Sequence, residues 1–166
     1  ERVSALYVPT LSVSAWRPEE KVKGSDVLKT ENKTTETSVW FQIQTSNRTG
    51  YTASFSTETD NTALVNSSSS TNAKISSINA DTTLANLPVN TWGYKLATST
   101  NYSSLPGVSS PVTIFQSTDS SYSGYKGIYI GMKLGDDLEG GSYENKLVFS
   151  VVTNPYEKKA LMATGS

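Results

Sequence analysis

Apolar and polar residues alternate along several short segments of this chain, a pattern typical of β-strands that bury one face. The clearest segment spans residues 38–56, and a connection at 46–50 there holds residue types that tolerate a positive φ. We therefore expect a β-hairpin with one solvent-exposed face and with the other face covered by a second sheet. The alternating apolar positions are Val39, Phe41 and Ile43, then Tyr51, Ala53 and Phe55.

The same alternation recurs elsewhere and predicts further strands. The last one, at 143–152, has apolar residues on both faces, so we expect it in the middle of a sheet or under a neighbouring molecule. Residues 57–83 are rich in Ser, Thr and Asn, which favours an irregular excursion. The expected fold class is all-β: an antiparallel β-sandwich, Ig-like or jelly-roll-like, with long Ser/Thr-rich loops. The other predicted strands are 11–16, 91–96, 112–115 and 127–134.

A chain of 166 residues is long enough for one domain and short for two. We expect an extended N-terminal segment at 1–10, a β-sandwich domain at 11–155 and a C-terminal tail at 156–166. Pro9 lies at the first boundary and cannot donate a hydrogen bond to a sheet. The residues around it are therefore two extended pieces, or one strand bent at the proline and placed at an edge.

Charge and residue types exclude several function classes. With 14 Lys and Arg against 15 Asp and Glu, the net charge is -1, so we expect no nucleic-acid partner and no binding to anionic membranes. There is no apolar run of about 20 residues, so no membrane span is expected in this chain. The chain has no cysteine and no histidine, which removes thiol chemistry and the commonest general base and metal ligand. We therefore expect no enzyme and no cofactor.

The composition also indicates where the protein works. A Ser/Thr-rich, Lys-poor surface favours secretion, whereas the lack of cysteine favours a reducing compartment. A protein of the bacterial outer surface satisfies both, because many such proteins lack disulfides. The expected location is extracellular, on the bacterial cell surface.

The N-terminal segment is the sharpest functional candidate. It is apolar and extended, and as an exposed edge strand it would be an aggregation hazard. If it fills an open sheet edge of the next copy, head-to-tail contacts that do not close make a fibre. The alternative is that residues 3–16 are the first strand of their own domain, and the pattern does not separate the two. The candidate donor residues are Val3, Ala5, Leu6, Tyr7 and Val8.

Aromatic residues suggest a second kind of site, a sugar-binding platform. Trp40 and Trp92 are its main candidates, and Trp40 is favoured because alternation places it opposite Val39 and Phe41. The alternative is that these rings belong to the core or to cross-strand pairs. The wider aromatic set is Trp16, Tyr94, Tyr102, Tyr122 and Tyr125.

Acidic residues in one loop offer a weak candidate for calcium. Asp136, Asp137 and Glu139 lie close in sequence, with Asn145 not far behind. Their spacing is not that of an EF-hand, and a solvated turn explains them equally simply. We therefore expect no metal.

The order of four motifs resembles bacterial secreted or cell-surface β-sandwich proteins of the pilus, fibre-subunit or adhesin type. The resemblance covers residues 38–155, and it departs from the usual pattern at Arg48 and at the acidic loop 136–139. It implies occurrence in adhesins, repeat stalks or fibres, and it brings no catalytic residues. The motifs are TSNRTGYTASFS, NTWGYKL, GIYIGMKLG and GGSYENKLVFSVVTNP.

Two functions follow as expectations. The first is a structural subunit of an extracellular bacterial filament, pilus or surface assembly, whose partners are copies of itself joined head to tail. The alternative is a monomeric adhesin or carbohydrate-binding module, whose partner is a host or neighbouring-cell surface. A hydrolase is the third expectation, because no pair of Asp or Glu residues has a spacing that indicates a catalytic pair of carboxylates.

Overall fold

A computed structural model describes residues 11–16, 24–46, 49–119 and 122–155. In these ranges the chain is all-β, apart from the single helical turn α1 (Gly24–Val27). The donor candidates Val3 to Val8 and the tail at 156–166 lie outside the described residues. The strands are β1 (Leu11–Trp16), β2 (Thr34–Thr45), β3 (Tyr51–Thr57), β4 (Leu64–Val65), β5 (Lys74–Ser77), β6 (Thr91–Leu96), β7 (Val112–Ser117), β8 (Tyr122–Lys133) and β9 (Leu147–Thr153).

The strands form two sheets. The larger has the order β1-β2-β8-β6-β5-β4, and the smaller has the order β7-β3-β9. Neighbouring strands are antiparallel except β5 and β6, which run parallel. The long strands β2 and β8 pair along 12 residues, from Thr34 opposite Lys133 to Thr45 opposite Tyr122. This pair is the centre of the larger sheet.

One hydrophobic cluster draws side chains from both sheets. The Phe41 ring of β2 lies 4.0 Å from the Phe149 ring of β9, centroid to centroid. In the same way, Phe55 of β3 lies 4.8 Å from Tyr94 of β6, edge to face. Because the buried residues fall at alternate positions in β2 and β3, the alternation predicted from the sequence is confirmed.

The hairpin expected at residues 38–56 is wrong. Strands β2 and β3 belong to different sheets, and the residues around Gly50 carry the chain from one sheet to the other. Alternation shows which face of a strand is buried, but it does not show which strand lies beside it. Here Phe41 of β2 and Phe55 of β3 belong to one shared core, although their strands lie in different sheets.

The last predicted strand is shorter and placed differently than expected. It begins at Leu147 rather than Tyr143, and among the described residues it is an edge strand of the smaller sheet, so of the two expected positions the central one is wrong and the one under a neighbouring molecule stays a prediction. Its second apolar face, with Val148 and Val152, is half-buried. Two apolar faces indicate burial on both sides of a strand, but they do not require a paired neighbour at each edge.

A long excursion covers part of the outer face of the larger sheet. This excursion consists of residues 78–90 and 97–104, on either side of β6, and in it Ile78, Leu87 and Tyr102 are buried against Tyr129 of β8. The excursion is held by backbone bonds between Thr82 and Tyr102. No helix in the described ranges is long and apolar enough to cross a membrane.

Candidate functional site

The outer edge of β9, hereafter the β9 edge, is the most unusual feature of the smaller sheet. Strand β9 pairs with β3 without a register shift, from Tyr51 opposite Thr153 to Thr57 opposite Leu147. On its other side no strand pairs with it among the described residues. The strand contains no charged residue, no proline and no glycine.

Two other sheet edges carry features that normally prevent pairing. A register shift between Ala53 and Ser54 interrupts the pairing of β3 with β7, which marks a bulge beside that edge. Strand β4, at one end of the larger sheet, is only two residues long. Short strands, bulges and charges are the usual ways in which proteins blunt an edge, and β9 has none of them.

Side chains on both faces of β9 are apolar. Phe149 and Val151 are buried in the core, with 4% and 2% of their surface exposed. Val148 and Val152 lie on the opposite face and are half-buried. An extended segment placed beside β9 would gain main-chain hydrogen bonds and apolar contacts on both faces.

Asn154 fixes the chain just after β9. Its side-chain Nδ2 donates to the carbonyl oxygens of Thr49 at 2.6 Å and Ser117 at 3.0 Å. Its Oδ1 accepts a hydrogen bond from Thr52 Oγ1 at 2.5 Å. These bonds join the ends of all three strands of the smaller sheet, so the β9 edge is held in a defined position.

The second candidate surface is on the outer face of the larger sheet, around Trp40. The indole ring lies across Gly127 of β8, because a Cβ built on that glycine would be 2.6 to 2.9 Å from three ring atoms. The indole Nε1 donates to Ser38 Oγ at 3.0 Å. The glycine and the hydroxyl together fix the orientation of the ring.

Polar and aromatic residues surround this ring. Gln42 is the register partner of Tyr125, whose side chain is 58% exposed. Tyr129 is the register partner of Ser38, and the Lys95 Nζ lies 4.6 Å from the centroid of its ring. The surface therefore combines exposed aromatic area with amide groups.

Trp92, the other tryptophan candidate, is not available to a ligand, and that prediction is wrong. It points into the core, is 3% exposed and donates from Nε1 to the Thr62 carbonyl at 2.9 Å. Alternation within β6 puts it on the buried face with Tyr94. Both strands alternate, so only the register against β8 distinguishes the outward Trp40 from the inward Trp92. The side chains of Trp16 and Tyr122 lie outside the described residues.

Tyr102 forms a polar contact beneath the excursion. Its hydroxyl donates to Glu36 Oε2 on β2, and its ring covers Gly131 of β8. Burial, and then the hydrogen bond to Glu36, raises the pKa of Tyr102 far above its ordinary value. This contact holds the excursion on the sheet and leaves the Trp40 region beside it uncovered by that cluster.

The acidic loop directs its carboxylates to separate partners. Lys33 Nζ lies 2.7 Å from Asp136 Oδ2. Glu139 Oε1 accepts bonds from Thr71 Oγ1 at 2.7 Å and Ser69 Oγ at 2.8 Å, and these bonds lower the pKa of Glu139. Asp137 is exposed. Within the described ranges, no three acidic, histidine or cysteine side chains converge as metal ligands would.

No family model and no curated protein matches this chain. Among solved structures, a family 123 glycoside hydrolase from Clostridium perfringens, described for glycolipid glycan hydrolysis, is similar at 10% identity. The match covers 89% of this chain and 28% of that enzyme, with a TM-score of 0.31. The chain thus spans little more than a quarter of the enzyme, and a likeness this weak carries no argument about fold or function.

Sequence reasoning missed features that depend on register. The flat contact of Trp40 with Gly127 follows from the pairing of β2 with β8, which are about 90 residues apart in the chain. The edge position of β9 was also missed. The sequence did contain a signal for this edge position. An edge that accepts a strand requires an uncharged strand with two apolar faces, and the last strand of the domain has both features.

Proposed function

We propose that this chain is a structural subunit of an extracellular bacterial filament or surface assembly that grows by strand addition. The N-terminal segment 1–10 of one copy is the donor, and the β9 edge of the next copy is the acceptor. The single observation that supports this is the β9 edge itself: seven uncharged residues in regular register with no second neighbour among the described residues.

The proposal includes a β-sandwich for the domain, antiparallel except for the pair β5 and β6. The contacts between Phe41 and Phe149 and between Phe55 and Tyr94 support two sheets packed face to face. Such a sandwich has two ends and open sheet edges, and an open edge can accept a strand from outside. The role is structural rather than catalytic, in keeping with the absence of histidine and cysteine.

The donor segment matches the acceptor in length. Residues 3–8 in extended conformation span about 20 Å, close to the length of a seven-residue strand. Pro9 ends this segment before β1, which pairs with β2 of its own copy. A net charge of -1 adds little repulsion between copies.

A competing arrangement places the segment within its own domain. Strand β1 lies close to β9 of the same copy, which makes pairing of the N-terminal segment with that edge the second hypothesis. The two arrangements bury the same surfaces and differ only in which copy supplies the strand, as in domain swapping. A test of assembly therefore separates them.

Negative-stain electron microscopy and sedimentation velocity over a range of concentrations provide the test. We expect filaments for the unmodified chain and none after deletion of residues 1–8 or for Val152→Lys, which adds a charge to the β9 edge. Thr113→Lys, on exposed β7 at the opposite edge, is the matched control and keeps the filaments. Filaments from the deletion variant, or a monomeric unmodified chain at every concentration, would contradict the proposal.

A further inference from the structure

We infer that the Trp40 face, formed by Trp40, Gln42, Gln44 and Tyr125, binds an uncharged oligosaccharide. These residues belong to β2 and β8 and lie on the outer side of the larger sheet. The surface is separate from the β9 edge, which belongs to the smaller sheet. The inference therefore does not depend on strand addition.

The excursion cluster covers only part of the outer face of the larger sheet. Nearer the other end of β8, the excursion packs Tyr102 over Gly131. Around Trp40, no described segment forms a comparable cluster, and Tyr125 is 58% exposed. An exposed tyrosine beside a half-buried tryptophan on an otherwise polar sheet face indicates an interaction site.

The Trp40 ring is held in place before any ligand arrives. Glycine is the only residue type that leaves room for the indole at position 127, because a Cβ there would lie 2.6 Å from a ring atom. The hydrogen bond from Nε1 to Ser38 Oγ restrains rotation of the ring. A ring fixed in this way loses little conformational entropy on binding.

The chemistry of the face fits a sugar better than an ion. None of its four residues carries a formal charge, which gives no attraction for a phosphate, sulfate or carboxylate group. Gln42 and Gln44 each offer an acceptor and two donors, as vicinal hydroxyl groups require. Lys95 is held beside the face, because its Nζ lies over the Tyr129 ring and donates to the Ser99 carbonyl at 3.0 Å.

The two outermost rings suit an extended chain of sugars. The electron-rich face of an aromatic ring attracts the polarised C–H groups on one side of a pyranose. Trp40 is paired with Gly127, two residues from Tyr125 on β8, so the two aromatic residues are diagonal neighbours. Diagonal neighbours in a sheet are about 7 to 8 Å apart, far enough to contact different sugars of one oligosaccharide.

Titration calorimetry with uncharged cellohexaose, mannohexaose and chitohexaose tests the inference on the full chain. We expect at least one of the three to bind, with a Kd that does not change between about 50 and 500 mM salt, because no ion pair contributes. Tyr125→Ala and Gln42→Ala should each raise the Kd about tenfold. Val108→Ala removes an exposed apolar side chain elsewhere, 46% exposed, and should leave the Kd unchanged.

Both binding variants lie on the surface, so thermal unfolding should show that they fold like the unmodified chain. Filament formation by Tyr125→Ala should also be unchanged, which keeps this inference separate from the proposed assembly. Binding to none of the three hexasaccharides overturns the inference. Equal binding by the unmodified chain, Tyr125→Ala and Gln42→Ala overturns it as well, because the sugar would then lie on another surface.

Discussion

Thr49 and Asn154 exchange two hydrogen bonds across 105 positions of the sequence. Thr49 Oγ1 donates to the Asn154 carbonyl, and Asn154 Nδ2 donates to the Thr49 carbonyl, each at 2.6 Å. The contact closes the end of the smaller sheet where the chain enters β3 and leaves β9. Each bond joins a side-chain donor to a backbone carbonyl, and the Asn154 amide also donates to the Ser117 carbonyl of β7.

Replacing this amide should destabilise the smaller sheet. We expect Asn154→Ala to lower the free energy of unfolding by about 2 to 4 kcal/mol, because several hydrogen bonds are lost and carbonyl partners stay half-buried. Asn101→Ala, at an exposed position, is the control and should change stability by less than about 0.5 kcal/mol. Urea unfolding measures both. Equal stabilities of the two variants would show that Asn154 does not hold the strand ends.

Gly127 should not tolerate a side chain. An alanine Cβ would lie 2.6 Å from Trp40 Cδ2, so Gly127→Ala should displace the indole and cost about 1 to 3 kcal/mol. Tryptophan fluorescence should change with it. Gly140→Ala is the control, since nothing lies within 4 Å of a Cβ there. An unchanged spectrum for Gly127→Ala would mean that the ring does not rest on this glycine.

The contact between the sheets depends on Phe149. Its ring lies 4.0 Å from Phe41 and 5.3 Å from Phe55, and it is 4% exposed. Phe149→Ala should therefore cost about 3 to 5 kcal/mol, as a large cavity in a core does. Val148 lies on the opposite, half-buried face of the same strand, so Val148→Ala should lower the free energy of unfolding clearly less. Similar losses for the two variants would contradict the assigned orientation of β9.

The stability of the fold at alkaline pH should depend on the contact between Tyr102 and Glu36. Burial and this hydrogen bond raise the pKa of Tyr102 above its ordinary 10.0, so the folded chain keeps a proton that the unfolded chain loses. The resulting stability is fully present below about pH 10 and is lost as the pH rises further, toward the raised pKa.

Denaturant unfolding from about pH 8 to 11 measures this loss. Tyr102→Phe should cost about 1.5 to 3 kcal/mol near neutral pH, since the bond has a carboxylate acceptor, and it should flatten the alkaline decline. Tyr125→Phe, at an exposed position, is the control and should keep the decline of the unmodified chain. A decline equally steep in Tyr102→Phe would show that another group causes it.

Local pattern was enough to find most strands of this chain. The β6 strand has the expected bounds, 91–96, and β1 has the expected bounds, 11–16, because each is a short alternating run with clear breaks. The ends of β8 were harder to place. It extends from Tyr122 because its pairing with β2 continues through a polar stretch that has no apolar signal of its own.

Pairing between distant strands was beyond the reach of the sequence pattern. Phe41 and Phe55 alternate in the same way, yet they lie in different sheets, because β2 pairs with β1 and β8 whereas β3 pairs with β7 and β9. The candidate surfaces depend on the same information. Whether Trp40 or Trp92 points outward, and whether β9 is central or at an edge, is decided by partners far away in sequence.

Strand exchange between copies makes the most specific prediction, and two blocked variants test it together. One lacks residues 1–8 and can only accept a strand; the other carries Val152→Lys and can only donate one. Sedimentation velocity on each variant alone should show a folded monomer, and on the mixture it should show a one-to-one dimer that grows no further. A mixture that stays monomeric at every ratio would contradict strand addition between copies and place the segment within its own domain.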